Sequence, residues 1–155
     1  MKRPIIIGLV FIAVAVSAAL VISKRGGEGP SNNDDALDLL IKDLTSTPGA
    51  GPLPDYALAS KKTEAGYRVA IAISGTLENV PCYCGCGSVG HKSLKDCFIK
   101  GEGVFGEHAS YCDVCVDEAL DVYVWQKQGI PLKEIKSRIE KKYSRYGEPT
   151  DTAEV

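Results

Sequence analysis

Three cysteines alternate within Pro81-Cys82-Tyr83-Cys84-Gly85-Cys86-Gly87, and this crowding constrains the fold more than any other feature of the chain. Bridges between neighbours, Cys82–Cys84 or Cys84–Cys86, would strain a disulfide, which prefers Cα separations of about 5.5–6 Å and specific dihedrals. Each loop cysteine therefore needs a distant partner. Only Cys97 and the C-x-x-C pair Cys112 and Cys115 remain to supply one.

The settings of those partners suggest how they reach the loop. Ser93-Leu94-Lys95-Asp96 and Ser110-Tyr111-Cys112-Asp113 both match the Ser-x-x-Asp helix start. The first predicts Cys97 in the opening turn of a helix. With Ser110 as cap, the second puts Cys112 and Cys115 at the second and fifth positions, their sulfurs on one face. Free N–H groups and the positive dipole end favour thiolate there. Two helix starts and a Gly-rich loop would thus converge their sulfurs. The glycines at 85, 87, 90, 101, 103 and 106 need no role beyond tight turns.

The rest of the chain reads as helix. Asp34 or Asp35 can cap a short segment through Leu44, with Leu37, Leu40, Ile41 and Leu44 at 3–4 residue spacing, and TPGAGPLP (47–54) breaks it. Between Tyr56 and Ile73, YRVAIAI alternates like a strand, yet Tyr56, Ala59, Thr63, Gly66, Ala70 and Ile73 keep helical spacing; periodicity leaves both open. VCVDEALDVYVWQKQ carries apolar residues on most faces, as a central helix would, and ends at Gly129. Pro131 opens the next helix, whose stripe is Leu132, Ile135, Ile139, Tyr143 and Tyr146, and GEPTDTAEV reads as a frayed polar tail.

Six cysteines and His91 and His108 are the only soft or borderline ligands, since the single Met is Met1. A thiolate metal site on Cys82, Cys84, Cys86, Cys97, Cys112 and Cys115 is the favoured reading. Cu(I) suits an all-thiolate cluster, whereas zinc takes four ligands and leaves two cysteines unused. An iron–sulfur cluster also takes four thiolates, but the spacing is not a ferredoxin run. Haem attachment is excluded because Val116, not His, follows Cys115. His91 is either a ligand or a hydrogen-bond brace between loop and helix. His108 is expected to face solvent. Extracytoplasmic copper handling often uses Met ligands, and their lack is the objection to this reading.

Two other readings stand beside it. An even cysteine count outside the cytoplasm suits a disulfide-stapled structural or interaction domain, with fifteen pairings open. Thiol redox chemistry at Cys112 and Cys115 lacks the strand–helix context of a thioredoxin-like site. No Ser/His/Asp set or placeable acid–base pair is visible, so a non-enzymatic role is expected.

Ile5 to Ser23 is a run of 19 residues without a charge. As a helix it spans roughly 28 Å, near the roughly 30 Å hydrocarbon thickness and long for a signal-peptide core. We read residues 1–25 as a signal anchor, with cleavage after Ser17 as the alternative. No cysteine follows the run to take a lipid. Lys2 and Arg3 set a slight bias toward an inside N-terminus, placing most of the chain outside the cytoplasm as a single-pass cell-membrane protein. With Lys2, Arg3, Lys24 and Arg25 set aside, 14 cations face all 20 anions. Such an acidic domain is a poor nucleic-acid binder. The expected partners are a metal ion and the membrane; no protein partner can be named.

The run PCYCGCG, followed by GHKSLKDCFI and CDVCVDEAL, resembles the bacterial and archaeal PCYCGC-motif proteins over roughly Tyr56 to Gly147. The resemblance implies small extracytoplasmic proteins, commonly lipoproteins, and a helical domain, which tips Tyr56–Ile73 toward helix. The fold expected is therefore all-α. It comprises an anchor helix, a linker over 26–54 with one short helix, a helical domain with a Cys-rich loop over 55–147, and a disordered tail over 148–155.

Overall fold

Ser60 decides the segment that periodicity left open. Its hydroxyl accepts the Thr63 N–H at 3.1 Å, satisfying a donor that a helix start leaves free. Glu64 and Arg68 pair one turn apart at 3.1 Å. In the computed structural model, which describes residues 33–47 and 51–152, the apparent strand YRVAIAI lies mostly in a helix. Small Ala65, Gly66 and Ala70 let that helix be buried on most faces.

The order is α1 (Asn33–Thr45), α2 (Lys61–Ala72), α3 (Ser74–Leu77), β1 (Ile99–Gly101), β2 (Val104–Phe105), α4 (Asp113–Lys127) and α5 (Leu132–Tyr143), with single 3₁₀ turns between. α2 packs on α1 and on α4, and α4 on α5. The expected central helix is thus in place, burying Cys115, Val116, Glu118, Ala119 and Val122. α5 buries Ile135, Ile139 and Tyr143 of its stripe, while Tyr146 stays exposed. The short helix of the linker, α1, buries Leu44 and ties to α2 by an Asp38–Lys61 bridge of 2.6 Å. An anchor over 1–25 lies outside the described residues. Among the described residues no helix is long and apolar enough to cross a membrane.

Three expectations need correction. The domain is mostly rather than wholly α, because β1 and β2 pair antiparallel, Ile99 opposite Phe105. The helix expected at Ser93 is a single 3₁₀ turn, Leu94–Cys97, with no side-chain cap. Phe98 N–H closes it on the Lys95 carbonyl at 2.9 Å, and the Gly-containing hairpin then carries the chain away. The polar tail is docked rather than frayed as far as Thr152. Thr150 is 4% exposed, its N–H donates to the Cys82 carbonyl at 3.0 Å, and its hydroxyl accepts the Cys82 N–H at 3.0 Å. Gly147 allows this approach, since a Cβ there would lie 3.0 Å from the Tyr83 oxygen and 3.1 Å from the Gly85 nitrogen.

Aromatic packing positions the second half of the site. Tyr67 stands edge-on to Phe98 at 5.2 Å between centroids and meets Phe105 at 6.3 Å. Its hydroxyl donates to the Gly106 carbonyl at 2.6 Å, and the Gly106 N–H donates to Phe98 O at 2.7 Å. The chain leaving the hairpin is thereby held beside Cys97 just before His108.

Candidate metal centre

All six cysteines are free and gather in one place. Cys82 and Cys84, two residues apart, belong to one donor set, and distant side chains hold the motif backbone. The Cys82 N–H is taken by Thr150 and the Tyr83 N–H by the Glu118 carboxylate at 2.9 Å. At Gly85 the chain turns through the left-handed region (φ +82°), which glycine adopts without a Cβ clash. The 3₁₀ turn Cys86–Val89 follows, and Cys86 comes to rest on Cys97.

The sulfur separations carry the chemistry. Cys86 and Cys97 are 3.5 Å apart, Cys97 and Cys82 3.9 Å, Cys82 and Cys115 3.7 Å, and Cys115 and Cys84 3.4 Å. A disulfide needs about 2.0 Å. The edge of a thiolate tetrahedron around an ion bound at about 2.3 Å is about 3.8 Å. The cluster has the spacing of ligands, not of bridges.

The sequence placed the sulfurs together correctly but misplaced some of their supports. Cys112 is the residue capping α4, and Cys115 is the third residue of that helix, not its fifth. Ser110 does not cap, because it lies in the 3₁₀ turn His108–Tyr111, two residues before the cap position at Cys112; its hydroxyl donates to the Glu107 carbonyl at 2.7 Å. Cys97 likewise ends a turn instead of opening a helix. Its thiol is nonetheless lowered to about 4, by hydrogen bonding with Cys115 first and then with Cys82. Cys84 is lowered too, by hydrogen bonds from Cys112 and then Cys115. Neighbouring thiols, more than a helix dipole, favour thiolate here. The protons stay on the other four: Cys82, Cys86 and Cys115 are raised, chiefly by Cys115, Cys82 and Cys112 respectively, and Cys112 is raised against its Cys115 hydrogen bond, by Cys84 and by burial.

Both histidines belong to the site. His91 Nδ1 is 3.4 Å from Cys97 Sγ, within reach of either role expected of it. His108, expected in solvent, is half-buried with Nε2 3.5 Å from Cys84 Sγ, and the two rings meet edge-on at 4.9 Å. No local signal marked His108, because the hairpin brings it in. Three overlapping sets have donors within 4.8 Å of one another: Cys82, Cys84, Cys86, Cys97; Cys84, His108, Cys112, Cys115; and Cys86, His91, Cys97, His108.

Glu118 was also missed, although it lies one helical turn after Cys115 and so on the same face. It is fully buried, and Oε2 has no hydrogen-bond partner. Burial pushes its carboxyl up to about 8, against hydrogen bonds from Cys82 and the Tyr83 N–H. The native state thus keeps a proton that the unfolded chain sheds above about 4.3. The stability tied to that proton is complete below about 4.3 and is lost as pH rises through about 8, by at most about 1.4 kcal/mol per unit. In metal-free protein, wild type should lose stability relative to Glu118→Gln across about pH 5–8, measured from urea midpoints. A flat or rising difference would show that the carboxyl is not held neutral.

The sequence model of a family described as "Protein of unknown function with PCYCGC motif" matches residues 10–154. No curated protein and no solved structure matches the chain. The family match runs well beyond the motif on both sides, taking in α1 and the docked tail at Thr150 as well as every cysteine of the cluster. The chain belongs to the PCYCGC-motif family.

Proposed function

We propose that this domain binds a thiophilic metal ion on its cysteine cluster for storage, sensing or hand-over. The observation that carries the reading is the gathering of six unbridged sulfurs, five of them linked by contacts of 3.4–3.9 Å and Cys112 within 4.8 Å of Cys84 and Cys115. Copper(I) is the favoured cargo, because soft thiolates that can share ions suit it. Zinc is the second reading, favoured by the three four-donor sets, any one of which would close a tetrahedral shell. The role is non-enzymatic. The apolar segment 5–23 would hold the domain at the outer face of the cell membrane, with metal and lipid as its partners and no nucleic acid.

Elemental analysis of protein purified without added metal, beside intact mass with and without thiol alkylation, tests this. The expected result is stoichiometric copper, and after chelation six alkylatable thiols. Three bridges and no metal would establish the disulfide-stapled domain instead. A Cys112–Cys115 pair that cycles with disulfide substrates would establish the redox reading.

A further inference from the structure

The donors differ in access. Cys82, Cys86, Cys97 and Cys115 are buried, whereas Cys84, Cys112, His91 and His108 are half-exposed. The set Cys82, Cys84, Cys86, Cys97 is thus buried at three of its four members, and the set Cys84, His108, Cys112, Cys115 is half-exposed at three. Cys84 belongs to both. The sets also touch through Cys82 and Cys115 at 3.7 Å.

One ion would use four donors and leave at least two of the six cysteines beside it without an ion. Two four-coordinate ions that share Cys84 use every sulfur and His108. The third set adds no independent position, because all its donors except His91 are then committed. His91 remains as a brace on Cys97.

Resting on the metal reading above, we propose that the centre holds two ions bridged by the Cys84 thiolate, a closed inner one and an accessible outer one. The outer ion is the exchange position. An incoming thiolate from an acceptor can bond to it there as His108 or Cys112 leaves, with no change in oxidation state. The inner ion stays enclosed, because three of its four donors are buried.

NMR of the full chain, reduced and loaded anaerobically with NMR-active cadmium(II), tests the assignment. The expected result is two cadmium resonances. One should correlate with the Cβ protons of Cys82, Cys86 and Cys97, the other with those of Cys112 and Cys115, and Cys84 with both. Added chelator should remove the second resonance first. One resonance, or two without a shared Cys84, overturns the bridged pair and leaves metal binding intact. Loss of the inner resonance first overturns the exchange assignment. No bound cadmium overturns the bridged pair, and protein that also carries no copper by elemental analysis overturns the metal reading itself.

Discussion

Cys84→Ser protein is expected to leave purification without its metal while keeping its helical fold. Cys84 Sγ lies 3.4 Å from Cys115 Sγ and 3.5 Å from His108 Nε2, and it belongs to two of the three donor sets. A serine hydroxyl nearly matches the thiol in shape, but it is a hard ligand that stays protonated. Loss of a partner that merely orients a ligand costs about 10–100-fold in affinity. Removing a ligand shared by two ions should exceed that, leaving retained metal near zero by elemental analysis. The fold survives because Cys84 is half-exposed and the motif backbone is held by Thr150 and Glu118, neither of which the change touches. On the disulfide reading the same change would remove a staple and lower stability by about 2–5 kcal/mol. Full metal loading in Cys84→Ser would remove the basis for the proposed function.

The largest effect on stability is expected from Phe98→Ala. Phe98 is fully buried, edge-on to Tyr67, and follows directly on Cys97. Its backbone joins the Cys97 turn to the hairpin, donating to Lys95 O and accepting from Gly106 N–H. Truncating a buried phenylalanine removes its apolar contacts and leaves a cavity, at a cost of about 3–5 kcal/mol. That is a large share of the about 5–15 kcal/mol that separates native from unfolded protein. Urea unfolding of the metal-free protein should show the loss. Metal should restore part of it by mass action, about 2.7 kcal/mol at a free concentration one hundred times the dissociation constant. A loss below about 1 kcal/mol would mean that the core at Cys97 relaxes around the gap and does not brace the sulfur.

Some of the architecture could be read without coordinates because its cause is local. The Leu37, Leu40, Ile41 and Leu44 stripe lies on the inner side of α1, and Ile135, Ile139 and Tyr143 form the buried stripe of α5. Helical spacing and a turn-forming boundary suffice to predict such elements. The two Ser-x-x-Asp signals misled because neither serine stands at the start of an α-helix: Ser93 precedes a single 3₁₀ turn and Ser110 lies within one. Ser110 donates backwards to Glu107 instead, and Ser93 makes no side-chain cap bond. YRVAIAI could not be decided by period, since its small residues fit a buried helix as well as a strand.

Residue type and crowding determined by themselves that Cys82, Cys84 and Cys86 would meet Cys97, Cys112 and Cys115, because neighbours in an alternating run cannot bridge each other without strain. Only the tertiary structure decided which atoms surround them. His108 reaches Cys84 because Tyr67 and Phe98 hold the hairpin exit, and Glu118 and Thr150 reach the motif amides across 35 and 68 residues of chain. Such contacts depend on where separate elements dock, and that is set by the packing of the whole core and leaves no periodic mark on the chain.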